Sequence, residues 1–279
     1  MKRRYIVYKV LDKKRLASTV TLLKLDAPEI AKKVQPGQFV ILRLNEEGER
    51  LPLTVNDFDR ENGTITIVFQ EVGKTTKLMG RLNPNDGILD VVGPLGKHTE
   101  IEKFGKVICI GGGVGTAVIY PVTRALYQAG NEVIGIVGAR NKDLLTFVDE
   151  MEAVTHQLIV TTDDGSQGRK GLVTEPLKEI LDSGEKIDHI IAIGPAIMMK
   201  FVCKTTEPYK VKTIVSLNPI MLDATGMCGV CRVRVGGETK FGCVDGPEFD
   251  GHQVDFDSLI NRLKQYVAEE KISMATIEG

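Results

Sequence analysis

Two rhythms of apolar residues divide the chain. Up to about residue 98 the apolar positions come in short runs rich in Val, Ile, Thr and Leu, at 5–10, 18–25, 39–44, 51–55, 64–70 and 88–92. Turn signals separate them: Pro36-Gly37, Glu61-Asn62-Gly63 and Asn83-Pro84-Asn85-Asp86-Gly87. Short β-branched runs bounded by Gly, Pro and Asn are strand signatures, and this spacing predicts a small antiparallel β-barrel with one short helix near 75–79. Gly93-Pro94-Leu95-Gly96 interrupts the pattern and marks a boundary, giving a first domain over 1–98. From 99 to 215 the rhythm changes. Apolar strands at 107–110, 132–137, 157–162, 187–193 and 213–216 are mostly separated by segments with helical spacing, at 117–129, 142–155, 173–183 and 196–205. Such alternation predicts an α/β domain with a parallel sheet covered on both faces. Residues 216–279 form a third, shorter module: three cysteines lie close together, followed by an apolar stripe at Phe256, Leu259, Ile260, Leu263 and Val267 that predicts a helix packed on the protein's own body.

Composition narrows the classes. The 279 residues are 42% hydrophobic and 26% charged, as in globular proteins, and the net charge of −1 gives no global attraction to nucleic acid or to an anionic membrane. Aromatic residues are only 5%, which also argues against a base-stacking surface. No apolar run approaches the ~20 residues of a membrane span. The basic start Met1-Lys2-Arg3-Arg4 is followed by an apolar stretch that ends at Lys9, too short for a signal peptide. A cytoplasmic protein is expected, with its thiols reduced, so the five cysteines need a role other than disulfides.

Gly111-Gly112-Gly113-Val114-Gly115-Thr116 directly follows the strand at 107–110. Glycines allow a sharp turn and bring backbone N–H groups close to an anion, and a helix after the turn adds its positive end. The position fits a pyrophosphate site. Pro121 suggests that regular helix starts near Val118, since Pro fits a first turn. No acid follows at the distance of a ribose-binding residue. The second strand instead leads to Arg140 and Lys142, which leaves NAD(H) and NADP(H) both open. The loops around Asp164 and at Gly194-Pro195 also lie at C-terminal strand ends, so three loops converge on one crevice.

Pro36-Gly37-Gln38-Phe39-Val40, Arg50-Leu51-Pro52-Leu53-Thr54, Gly73-Lys74-Thr75-Thr76, the 111–117 turn and Gly194-Pro195 occur in that order. Together they resemble the ferredoxin–NADP reductase superfamily, an FAD-binding barrel followed by a nucleotide-binding α/β domain. The resemblance implies that Leu53 faces the flavin ring and that Thr54 lies near the flavin N5. It also implies that Gly73, Lys74, Thr75 and Thr76 hold the FAD phosphates, and that Gly194 and Pro195 lie near the nicotinamide. Arg50 stands one residue earlier than the motif's phosphate-binding Arg, with Pro52 between it and the ring-facing position.

The tail adds a metal signature. Asp223, Cys228 and Cys231 read D-x4-C-x2-C, with Cys243 further on. This is the plant-type [2Fe–2S] spacing with Asp in place of the first Cys. Cys228, Cys231 and Cys243 with His252 are also a Cys₃His set for zinc, and free thiols with Asp223 as a turn former are a third reading. An upstream flavin domain favours iron and sulfur, because zinc carries no electrons. Cys109 and Cys203 fall in an apolar strand and a helix and read as core residues.

The strings 217–231 and 241–252 resemble, more narrowly, the small-subunit family of NADH-dependent reduced ferredoxin:NADP oxidoreductases, also called sulfide dehydrogenases. That resemblance implies FAD, one [2Fe–2S] cluster held by three Cys and one Asp, an NAD(H) site, and a larger flavoprotein and iron–sulfur partner in a heterodimer. Ferredoxin would be reached only through that partner. Electrons would run between NADH, FAD, the cluster and the partner's flavin in a complex that bifurcates them. The electron-transfer subunits of dihydroorotate dehydrogenase are a more distant likeness and typically carry four Cys ligands. A non-catalytic zinc or redox-sensing module is the alternative from another class.

Overall fold

The computed structural model describes residues 7–278. The basic start at 1–4 and the first two residues of the expected strand 5–10 lie outside them. The first part is built from β1 (Tyr8–Ala17), β2 (Val20–Asp26), the short helix α1 (Pro28–Ala31), β3 (Phe39–Arg43), β4 (Arg50–Asp59), β5 (Thr64–Gln70), α2 (Lys74–Met79), β6 (Gly87–Ile88) and β7 (Asp90–Leu95). The strands form one antiparallel sheet in the order β6-β1-β2-β5-β4-β3-β7. Only Leu89 separates its two end strands along the chain, so the sheet curls into a nearly closed barrel. Period-two alternation fills it: Leu23, Leu25, Ile65, Ile67 and Phe69 point inward, while Val20 and Val68 point out toward the second part.

The second part runs β8 (Lys106–Gly112), α3 (Gly115–Gln128), β9 (Glu132–Ala139), α4 (Val148–Glu152), β10 (Gln157–Thr162), β11 (Arg169–Lys170), α5 (Thr174–Asp182), β12 (His189–Ile193), α6 (Ala196–Thr206) and β13 (Thr213–Ser216). The sheet order is β11-β10-β9-β8-β12-β13, all parallel. The direction of winding reverses between β8 and β12, and the loops after these two strands therefore open a crevice. Cys109 and Cys203 are buried in this part, as their apolar surroundings suggest.

Two local expectations are corrected. The helix expected over 142–155 is broken into a 3-10 turn at Lys142–Leu144 and α4. Phe147 takes a left-handed conformation (φ 60°), its ring packs with Tyr120 and on the cluster of Val20, Val68 and Ala117, and that packing outweighs helical propensity. Helix α3 starts at Gly115 rather than near Val118 and carries Pro121 inside it.

The tail contributes the hairpin β14 (Arg232–Val235) and β15 (Glu238–Phe241), then β16 (Glu248–Asp250), α7 (Phe256–Leu263) and α8 (Val267–Glu278). β16 returns to pair antiparallel with β13. The stripe Phe256, Leu259, Ile260 and Leu263 packs on the core of the parallel sheet, while Val267 begins α8 and is exposed. No helix among the described residues is long and apolar enough to cross a membrane.

Glu248 on β16 lies at the junction of all three parts. Thr99 Oγ1 donates to its carboxylate at 2.6 Å, and Gly37 packs so close that a Cβ there would collide with the Thr99 hydroxyl. Burial pushes its carboxyl up to about 7, against the opposing pull of Thr99 and His98. An unfolded Glu titrates near ~4.3. Between these values the folded chain binds more protons than the unfolded one, so this group's contribution is full at low pH and is lost as pH rises through about 7. Glu248→Gln is therefore expected to flatten the fall in melting temperature between about pH 4.5 and about pH 7. Equal slopes in the two proteins would show that Glu248 is already ionised in the fold.

Candidate functional site

A cleft of about 1040 Å³ opens at the crevice and is lined by all three parts. That is at the upper end of the ~300–1,000 Å³ usual for one small-molecule site. Of the residues expected from sequence, Pro52, Thr54, Gly112, Gly113, Val114, Gly115, Gly194 and Pro195 line it.

The glycine turn is shaped by two different demands. A Cβ at Gly112 would collide with Met198, and one at Gly115 would collide with the Ile193 carbonyl and lie 2.9 Å from Gly194 Cα. These glycines let the turn sit directly on the loop after β12. Gly113 has φ +56° with nothing within 4 Å of the place a Cβ would take, and its N–H donates to the Gly138 carbonyl at 2.8 Å. Gly111 and Thr116 pack against each other behind the turn and do not line the cleft. The 14-residue α3 thus directs its N-terminal N–H groups and positive end into the crevice.

On the barrel side, Pro52 and Thr54 face the cleft with Phe39, which pairs with Thr54 across β3 and β4. Leu53 alternates the other way and packs on the barrel core, so it is not in the ring-facing place expected of it. Arg50 is exposed at the start of β4, opposite Arg43. Gly73, Lys74, Thr75 and Thr76 also lie outside the lining, at the start of α2, just past Gln70 and Val72, which do line it. The Thr76 hydroxyl accepts from Gly73 N–H at 2.9 Å, and the Thr75 hydroxyl donates to Glu49 at 2.7 Å. Asp164 accepts from Ser166 N–H in an exposed turn, and its neighbour Asp163 lines the cleft instead. Arg140 lines the cleft and Lys142 does not.

The metal candidates form two pairs. Cys231 and Cys243 are buried with their sulfurs 3.2 Å apart. Asp223 lies beside Cys228 and accepts from the Thr225 N–H at 3.2 Å; the Cys228 thiol first, then that N–H, hold the carboxyl below its usual range. Ala224, Gly226 and Gly229 all have positive φ and curl the loop around these groups. Burial and the neighbouring Cys231 raise the Cys243 thiol, opposed by a hydrogen bond from Gly226 N–H. Among the described residues no three His, Cys, Asp or Glu side chains converge on one metal point. Two separate pairs suit a two-iron cluster, which takes two protein ligands at each iron, better than a single tetrahedral zinc. His252 is engaged with the Thr206 hydroxyl at 2.8 Å, beside Cys203, and does not join the three cysteines.

Sequence reasoning missed how the pieces touch. Phe39 and Ile41 of β3 pack in one apolar cluster with Met221, Ala224, Cys231 and Cys243. Phe39 and Met221 also line the cleft. Both stand inside strings that drew attention for other residues, and only the pairing of β3 with β4 and β7 shows which way Phe39 faces.

The comparisons with known proteins follow the same division. Residues 109–204 match the oxidoreductase NAD-binding domain, and 218–255 match the iron–sulfur cluster binding domain of dihydroorotate dehydrogenase B. The sequence is 49% identical over 264 residues to a dihydroorotate dehydrogenase B (NAD(+)) electron transfer subunit homolog of Thermotoga maritima, covering 95% of this chain and 93% of the relative. It is 38% identical over 239 residues to a probable dihydroorotate dehydrogenase B (NAD(+)) electron transfer subunit of Methanocaldococcus jannaschii, covering 85% and 88%. Among solved structures, a chain of an NADH-dependent reduced ferredoxin–NADP oxidoreductase, studied for flavin-based electron bifurcation, superposes with a TM-score of 0.92 at 47% identity over 98% of both chains. Phthalate dioxygenase reductase shares the fold, with a TM-score of 0.61 at 14% identity over 83% of this chain and 87% of its own.

Proposed function

We infer the function from kinship and geometry together: the chain belongs to the family of dihydroorotate dehydrogenase B electron-transfer subunits and their homologues. It is an electron-transfer flavoprotein subunit of an NAD(P)H-dependent oxidoreductase. It passes electrons between NAD(H), FAD and a [2Fe–2S] cluster to a larger flavoprotein subunit, as in electron-bifurcating ferredoxin:NADP oxidoreductase complexes. When bound, FAD exchanges a hydride with nicotinamide and the cluster moves single electrons.

The residues supply alignment rather than acid or base chemistry. We assign the pyrophosphate to the turn 111–116 and the N-terminus of α3, with Asp164 and its neighbour Asp163 on the nucleotide side. Gly194 and Pro195 direct the nicotinamide toward Thr54, while Pro52 and Phe39 form the wall that excludes water. Arg50, Gly73, Lys74, Thr75 and Thr76 flank the barrel end of the cleft and are assigned to the FAD phosphates, with Leu53 supporting Thr54 from the core side. Asp223 with Cys228 would hold one iron, and Cys231 with Cys243 the other. The corresponding units are 1–98, 99–215 and 216–279. Three thiols kept free for iron suit a reducing, cytoplasmic setting.

The observation that carries this reading is Phe39, which lines the cleft and packs in the same apolar cluster as Cys231 and Cys243. The anaerobically purified chain is expected to show flavin bands, about two iron and two sulfide per chain, and bleaching by NADH. A colourless protein carrying zinc would refute it. A dihydroorotate-oxidising partner is the second reading, favoured by the relatives' names and opposed by Asp223 in a cysteine's place. Co-purification of the chain with its partner subunit separates the two.

A further inference from the structure

Helix α3 carries a gap in its hydrogen-bond ladder. Residue 121 is Pro, which has no N–H, so the carbonyl of Ala117 four residues earlier has no donor within the helix. Ala117 is fully buried, and water does not reach it. The donor comes from the barrel: the side-chain amide of Asn56, itself buried, donates from Nδ2 to the Ala117 carbonyl.

Asn56 is aimed there by an irregularity of β4. Val55 and Asp57 pair with the adjacent residues Ile67 and Thr66 of β5, so Asn56 is the extra residue of a β-bulge. Bulges re-aim one side chain and recur beside active sites. The contact lies in a dry setting, because Val20 and Val68 of the barrel pack on Val114 and Ala117 of α3. The nearby Arg124–Asp57 ion pair at 2.7 Å is half exposed and screened, so it is the weaker link between the two parts.

The place of this bond along both chains gives it a role. Two residues before Asn56 is Thr54, on the cleft wall, and two residues before Ala117 is Gly115, in the nucleotide turn. We propose that Asn56 is a positioning residue, which takes the carbonyl left free by Pro121 and so fixes the nucleotide turn against the flavin strand at the spacing that hydride transfer requires. Pro121 is then not a flaw in α3 but the feature that reserves the Ala117 carbonyl for the barrel. The inference rests on the reading of the cleft as a nicotinamide–flavin site.

The test uses the full chain loaded with FAD, mixed with NADH in a stopped-flow instrument. Asn56→Ala is expected to slow the limiting rate of flavin reduction about tenfold to a hundredfold, as misplacement of reacting groups does. The dissociation constant for NADH should change little, and the long-wavelength absorbance of stacked nicotinamide and flavin should be lost. Pro121→Ala restores a helix N–H that competes for Ala117. It is expected to slow reduction too, although it improves the helix and does not lower the melting temperature. A purely structural role would not produce that pairing of a sound fold with a slow hydride step. If Pro121→Ala and any folded Asn56→Ala protein are reduced at the wild-type rate with unchanged charge-transfer absorbance, the proposal is wrong. If the unmutated chain binds FAD but NADH and NADPH both fail to reduce it, the functional reading itself fails and takes the inference with it.

Discussion

Replacing Cys243 with alanine is expected to strip the chain of iron, from about two atoms to near none, while leaving its flavin in place. The thiol is buried in the apolar cluster of Phe39, Ile41 and Met221, 3.2 Å from the Cys231 sulfur, so no other side chain or water can take its place. Alanine keeps the apolar contact with Phe39 and Ile41 of the barrel, and α3 lies outside that cluster. NADH should therefore still reduce the flavin, and delivery of electrons to the partner or to a one-electron dye should fail. Asp223→Cys is the contrasting change. It keeps four ligands and should retain about two iron atoms, but a thiolate is a softer donor than a carboxylate, so the EPR spectrum and the potential should both move. Unchanged iron content in Cys243→Ala would remove that residue from the ligand set, and an unmoved spectrum in Asp223→Cys would remove Asp223.

The contrast between these two positions also shows what a sequence can carry. Asp223, Cys228, Cys231 and Cys243 are close along the chain, so their spacing is itself geometry. The nearly closed barrel and the parallel sheet were legible for a similar reason, since β-branched runs and the strand–helix alternation are local. The convergence of Gly112–Gly115 with Gly194 and Pro195 followed from the winding rule for parallel sheets. Features that depend on register were hidden. Leu53 faces inward because β4 pairs with β3 in one register, and a shift of one residue would have turned it to the cleft. Asn56 looks like any polar residue in a strand until its bulge against β5 is seen. Pro121 reads as a helix-start signal, yet α3 starts at Gly115, and a residue 61 positions away satisfies the carbonyl that Pro121 abandons. Phe147 likewise breaks an expected helix for the sake of contacts on α3.

Gly115→Ala is expected to slow reduction of the flavin by NADH about a hundredfold while leaving its reduction by dithionite intact. A Cβ at this position would meet the Ile193 carbonyl and, at 2.9 Å, Gly194 Cα. Both are backbone atoms, one in the last residue of β12 and the other in the residue after it, and β12 is hydrogen-bonded to β8 on one side and β13 on the other, so they give way little. Strain of this kind costs about 1–3 kcal/mol in a well-packed interior. The movement that relieves it separates the α3 N-terminus from Gly194 and Pro195, the two halves of the nucleotide site. A displacement near 1 Å costs on the order of a hundredfold in rate. Gly113→Ala is the control on the same turn. No atom lies within 4 Å of the new methyl, and the φ of +56° carries only the ~1–2 kcal/mol penalty of a left-handed alanine. It should lower the melting temperature slightly and, because Gly113 lines the cleft, raise the dissociation constant for NADH, with the limiting rate at saturating NADH largely kept. If Gly115→Ala is reduced by NADH as fast as the unmutated chain, the turn does not hold the nucleotide. If Gly113→Ala is as inactive as Gly115→Ala, it is backbone freedom at the turn, rather than its contact with β12, that the site requires.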